Sequence, residues 1–237
     1  MDSEHDTPPA RHHHGFPAVP DLTGIRLAHR AILTDADRLA RLLDGLATAA
    51  EEVSPARAAA IAAYVHRYNE VVRGHHRGED EVLWPVVLDA VADPAEAVAG
   101  IVRFVDDHEA LDALQADCDR TADRFAAEPG RHARPLADAL ARQRDLLVDH
   151  IEAEEEHLFP VITGQVPGAA YAAAEAGIRS ADRAADPAWA RGWLLSHATP
   201  TELRRLLPPC PADDPVGGIQ PLLRAYAADA STVFPTA

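Results

Sequence analysis

Two eleven-residue stretches of this chain carry the residue types that do metal chemistry. The first is His75-His76-Arg77-Gly78-Glu79-Asp80-Glu81-Val82-Leu83-Trp84-Pro85. The second, His150-Ile151-Glu152-Ala153-Glu154-Glu155-Glu156-His157-Leu158-Phe159-Pro160, echoes it at an offset of 75. His falls on His, Glu79 on Glu154, Leu83 on Leu158, Trp84 on Phe159 and Pro85 on Pro160. Each copy holds a His and a Glu four residues apart, which an α-helix stacks on one face, about one turn apart. An imidazole nitrogen and a carboxylate oxygen placed that way grip one metal ion or bridge two. His76 and Asp80 form a second such pair, one residue out of phase. The other copy has Ile151 opposite His76, so the repeat selects His75 and Glu79.

Those pairs need rigid elements to hold them. Apolar residues recur at a spacing of three to four from Thr23 to Ala50, through Ile25, Ile32, Leu39, Leu43 and Leu46, and predict a first amphipathic helix. His29 sits inside that stripe. Ser54-Pro55 opens a second helix with an N-cap and a first-turn proline. Its inner face runs through Tyr64, Tyr68, Val72, His75 and Glu79 to Val82, Leu83 and Val86, and Pro85 is expected to kink or end it. A buried Glu is rare unless it is paired or ligates a metal, so Glu79 needs a partner. Asp93-Pro94 starts a third helix, with His108 inside its apolar stripe. Glu128-Pro129-Gly130 reads as a break, and a fourth helix is expected from about Arg134 to Gly164. Its face carries Leu140, Gln143, Leu147, His150, Glu154 and Leu158. In the run Glu152-Ala153-Glu154-Glu155-Glu156 only Glu154 shares the His150 side.

The chain thus reads as an all-α antiparallel four-helix bundle over 21–165. Residues 1–20, rich in Pro and holding the triplet His12-His13-His14, are expected to be a flexible arm. Residues 166–237, broken by Pro and Gly, are expected to add short helices that pack on the bundle through Trp189, Trp193 and nearby leucines. Ser196, His197 and Asp213 are too scattered there for a catalytic triad.

Composition narrows the partners. A formal charge of -16 argues against nucleic acid and anionic membranes, which both need basic patches. Cys118 and Cys210 have no metal-thiolate spacing, and a reducing cytoplasm fits two isolated thiols. The first residues are acidic with no apolar core, so no signal peptide is expected, and no apolar run is long enough to span a membrane.

Antiparallel neighbours bring His29 level with His75 and His108 level with His150. Four imidazoles and two carboxylates, His29, His75, Glu79, His108, His150 and Glu154, then meet in the core. That donor set suits iron or manganese, and less specifically zinc, in a dinuclear centre with two carboxylates between the metals.

These residues resemble the hemerythrin-like, or HHE cation-binding, family over about residues 20–163. The resemblance rests on His75-x3-Glu79-Asp80-x2-Leu83-Trp84-Pro85, its copy from His150 to Pro160, and His29 and His108 upstream. It implies two iron ions in a four-helix bundle, with the four His as terminal ligands and Glu79 and Glu154 as bridges beside an oxo or hydroxo group. Ferritin-like bundles use Glu-x2-His instead and are set aside. One departure stands out. Oxygen-carrying members have two His four apart on the third helix, whereas His108 is followed by Asp112. A missing ligand favours reaction with peroxide, nitric oxide or dioxygen, fed by an electron donor, over reversible oxygen carriage. An oxidase or oxygenase on an organic substrate, or a sensor of oxygen, redox state or iron, are the alternatives. Asp112 and His157 are open candidates for the site. Tyr64, Tyr68 and Gln143 read first as core residues and second as hydrogen-bond donors near the metals.

Overall fold

The helix starts follow from local chemistry. The Ser54 side chain accepts the Arg57 N–H, and Pro55 occupies the first turn, where its missing N–H costs nothing. Asp93 accepts the Ala95 N–H at 3.1 Å in the same way. In the computed structural model, residues 19–49, 52–181, 184–207 and 217–234 are described, and among them the regular structure is helical, with no strand. The His12-His13-His14 triplet, Cys210 and Asp213 lie outside the described residues.

Four long helices form the bundle: α1 (Thr23–Ala49), α2 (Pro55–Gly78), α4 (Pro94–Ala127) and α5 (Pro129–Gln165). α5 lies between α1 and α4, and α2 packs on the other flank of α4. The expected break before α5 shrinks to Glu128. Pro129 sits at the head of α5, where a fixed φ suits a helix start, so the helix begins five residues before Arg134. Pro160 does not stop α5, which runs on to Gln165.

Pro85 does not end the second helix either. A π-helical turn, Glu79–Leu83, follows α2, and α3 (Trp84–Ala90) continues from it. The Trp84 N–H bonds the Glu79 carbonyl five residues back. The wider turn makes room for Pro85, whose ring would crowd a regular helix. It also moves the inward face by one residue. Leu83, Trp84 and Val87 are buried, where a continuous α-helix would bury Val82, Leu83 and Val86.

The remaining helices cover the bundle. α6 (Gly168–Ala181) lies on the π turn and α3, and Gly78 lets it close in, because a Cβ there would sit 2.7 Å from Ile178 Cγ2. α7 (Pro187–Ser196) packs on α1, α8 (Pro200–Leu206) also on α1, and α9 (Gln220–Val233) on α2 and α7. The α7–α9 contact needs Gly192, since a Cβ there would lie 2.7 Å from the Leu222 carbonyl oxygen.

A small apolar cluster, Leu195, Leu203 and Ile219, joins the C-terminal helices, and two larger ones fill the bundle. One holds Ile32, Val72, Leu111 and Leu147; the other holds Ile25, Leu83, Phe104 and Leu158. Each fully buried side chain of this size contributes about 1.5–3 kcal/mol. In all four long helices the chemistry-bearing residues fall between a member of one cluster and a member of the other.

Candidate metal centre

The polar layer between the clusters collects side chains from four helices. His29, His76, Glu79, His108, His150 and Glu154 are all buried. His75 is buried nearly as deeply, with its side chain 14% exposed. His29 Nε2 stands 3.7 Å from Glu79 Oε1 and 3.7 Å from Glu154 Oε2. His75 Nε2 is 3.0 Å from Glu79 Oε1. His108 Nε2 lies 3.6 Å from Glu79 Oε2 and 3.2 Å from His150 Nε2, and His150 Nε2 is 3.7 Å from Glu154 Oε2. Donor atoms of His76, Glu79, His108 and His150 fall within 4.8 Å of one another, and so do those of His29, His75 and Glu79. Glu79 is common to both groups.

The layer fits a bound cation on the strength of its own unmet bonds. His29 Nε2, His75 Nε2, both nitrogens of His76 and both oxygens of Glu79 and Glu154 are buried without a hydrogen-bond partner. Buried polar atoms are almost always partnered, and so many orphans converging in one place call for a ligand. The charges are equally unsettled. Burial works against ionised Glu79, but His75 and His29 hold its carboxyl well below the usual range. Burial, then the nearby Glu79, pushes Glu154 well above it. Burial also depresses His76, and takes His150, with help from His108, down to about 3. His29 goes the other way: burial opposes its charge, yet Glu154, Glu155 and Glu79 raise it to about 10. A cation would let both carboxylates be charged and every imidazole be neutral.

An outer set of carboxylates aims the imidazoles. His29 Nδ1 pairs with Glu155 Oε1 at 2.9 Å, and Arg26 Nη1 holds the other Glu155 oxygen at 3.0 Å. His108 Nδ1 pairs with Asp80 Oδ1 at 2.9 Å. A proton kept on each Nδ1 leaves Nε2 free to face the interior. Asp80 and Glu155 occupy matching positions in the repeat, 75 residues apart. Glu155, in a run of acids expected to be mostly a solvated face, instead reaches His29 of another helix. Asp80→Asn or Glu155→Gln should weaken metal binding by about 10–100-fold with the fold intact, as read by competition with a chelator. Unchanged affinity in both variants would remove the orienting role.

The structure brings His29, His75, Glu79, His108, His150 and Glu154 together. It adds His76, whose ring stacks on His108 at 4.2 Å and 13° and meets His150 at 5.2 Å. The signal for His76 was in the repeat: its counterpart Ile151 is buried, which marks an inward position. Asp112 is exposed. His157 is also exposed and bonds the Ala153 carbonyl at 2.6 Å, so neither joins the layer. Tyr64 is hydrogen-bonded to Asp35, Tyr68 donates to the Ile32 carbonyl at 3.0 Å, and Gln143 Nε2 donates to Asn69 Oδ1 at 2.9 Å. None of the three bonds a residue of the layer.

A helical bundle with a buried layer of imidazoles and carboxylates defines a class of metal-binding proteins. Residues 21–162 match the hemerythrin HHE cation binding domain, and a second match covers residues 99–182, which include the second copy of the repeat. The chain belongs to that family. No curated protein and no solved structure gives a significant match. Among the described residues no helix is long and apolar enough to cross a membrane.

Proposed function

We propose that the layer holds two iron ions and that the protein binds or reacts with a small ligand: peroxide, nitric oxide or dioxygen. The observation that supports this best is Glu79, which lies in both groups of donor atoms and so sits where a bridge belongs. In this reading His76, His108 and His150 would hold one metal and His29 and His75 the other, with the Glu79 and Glu154 carboxylates within reach of both groups. His76 would add from α2 a fifth imidazole in place of the one that Asp112 does not supply from α4, so the choice between binding and reaction does not rest on a missing ligand. An iron pair bound there supplies Lewis acidity and one-electron chemistry toward small oxygen and nitrogen species.

The chain's own residues do the rest. Ile32, Val72, Leu111 and Leu147 close one side of the layer, and Ile25, Leu83, Phe104 and Leu158 close the other, so water is excluded from both. Phe159 stacks on His29 at 5.7 Å and 13°, and fixes the ring plane that Glu155 has already aimed. The buried free thiol of Cys118, pushed up to about 12 chiefly by burial, is inert and suits a reducing cytoplasm.

Anaerobic loading of purified protein with ferrous iron should give about two irons per chain, as a dinuclear carboxylate-bridged site requires. Nitric oxide, peroxide and dioxygen, added in turn, should each change the iron absorption spectrum. Binding of a single iron, or spectra indifferent to all three ligands, would remove this reading.

A further inference from the structure

A second buried polar group lies outside the metal layer, in the larger apolar cluster. Asp35 on α1 is wholly buried. Its carboxylate accepts hydrogen bonds from the Tyr64 hydroxyl of α2, from Trp193 Nε1 of α7 at 2.8 Å and from Arg38 Nη1 at 2.7 Å. Tyr64 also shares a hydrogen bond of 2.8 Å with the Tyr226 hydroxyl of α9. The oxidisable rings around this carboxylate touch one another. Trp193 stacks on Trp189 at 6.4 Å and 9°, and meets Tyr68 edge-on at 6.5 Å. Trp189 meets Tyr64 at 5.3 Å.

This series of rings runs toward the metal layer. Tyr68 is seven residues from His75 on the same helix, about 10 Å along its axis. Its hydroxyl donates to the Ile32 carbonyl, three residues from His29. Packing explains why buried Tyr and Trp find partners. It does not explain why Tyr64 and Trp193, two members of a connected series of oxidisable rings, direct their polar ends to one buried carboxylate; Trp189 Nε1 donates to Asp229 and the Tyr68 hydroxyl to the Ile32 carbonyl.

We propose that Tyr64 is a one-electron reservoir for the metal layer, with Trp189, Trp193 and Tyr68 as the path for the electron and Asp35 as the acceptor of the proton. This rests on the iron reading above. The oxidant is an oxidising equivalent left at the layer by peroxide or dioxygen. The Tyr64 O–H bond breaks, the proton passes to the Asp35 carboxylate, and one electron passes to the layer, which is reduced by one electron. A neutral phenoxyl radical remains on Tyr64. Burial and the Asp35 carboxylate push the Tyr64 phenol far up, so it stays protonated and gives up its electron together with its proton.

The test is freeze-quench electron paramagnetic resonance on the full chain, loaded with ferrous iron, counted for metal and mixed with hydrogen peroxide. The expected result is a transient organic radical whose spectrum narrows when the protein carries ring-deuterated tyrosine. Tyr64→Phe should abolish it at unchanged iron content, and Trp193→Phe should delay it. Iron that is bound and oxidised with no organic radical would overturn the proposal, as would a radical that ignores tyrosine deuteration or survives Tyr64→Phe. The deuterated unaltered protein gives an answer even if a variant folds poorly. A chain that takes up no iron would overturn both this proposal and the reading of the site, and the metal count identifies that case before mixing.

Discussion

Glu79→Ala should leave the protein without its metals. Its two oxygens are the atoms common to both donor groups, within 3.0–3.7 Å of His29, His75 and His108. Removing them takes a donor from each metal at once, so affinity should fall by more than the roughly 10–100-fold expected for the outer carboxylates. Stability should report the same loss. Metal supplied at about 100 times its dissociation constant adds about 2.7 kcal/mol to a fold that binds it, and in the variant that increment should vanish. Glu79→Gln keeps the shape and loses one charged oxygen; it too should fail to hold a pair of cations. Metal analysis and thermal melts with and without metal decide the matter. Full metal content in Glu79→Ala would mean that the proposed bridge is misassigned.

Trp193→Ala should be the most damaging single truncation in the C-terminal half. The ring is 1% exposed, stacks on Trp189 and donates to Asp35. Truncating a buried Trp to Ala costs about 3–5 kcal/mol through lost transfer energy and the cavity left behind. Asp35 keeps Tyr64 and Arg38, so the carboxylate is not stranded and the cost should stay in that range. Chemical denaturation should show the loss as a lower midpoint. A change below about 1 kcal/mol would show that α7 contributes little to the fold.

The sequence made the helices and the layer legible for physical reasons, and the misses have physical reasons too. His29 and His108 stood inside apolar stripes, and the structure buries both in the polar layer. The His-x3-Glu pairs carried their own geometry, because four residues make about one α-turn. His76 was set aside because its counterpart is Ile151, yet an apolar counterpart marks burial rather than absence of function. The π turn could not be read from hydrophobic periodicity, which assumes a constant helical pitch. It appears only in the pairing of the Trp84 N–H with the Glu79 carbonyl. Asp80 reads in sequence only as the partner of His76, and Glu155 as one of a run of acids, because what they touch, His108 and His29, belongs to other helices. The cluster around Asp35 was equally hidden, since Trp193 lies 158 residues away along the chain.

The crossing of the outer carboxylates ties the fate of the two halves together. Asp80, in the first hairpin, steadies an imidazole of the second, and Glu155, in the second, steadies one of the first. Each hairpin lends the other what it cannot provide for itself. A lone half would carry a lending carboxylate with nothing to lend to and an imidazole free to swing. Neither copy of the motif is therefore spare, and a change in one is felt in the other's share of the centre.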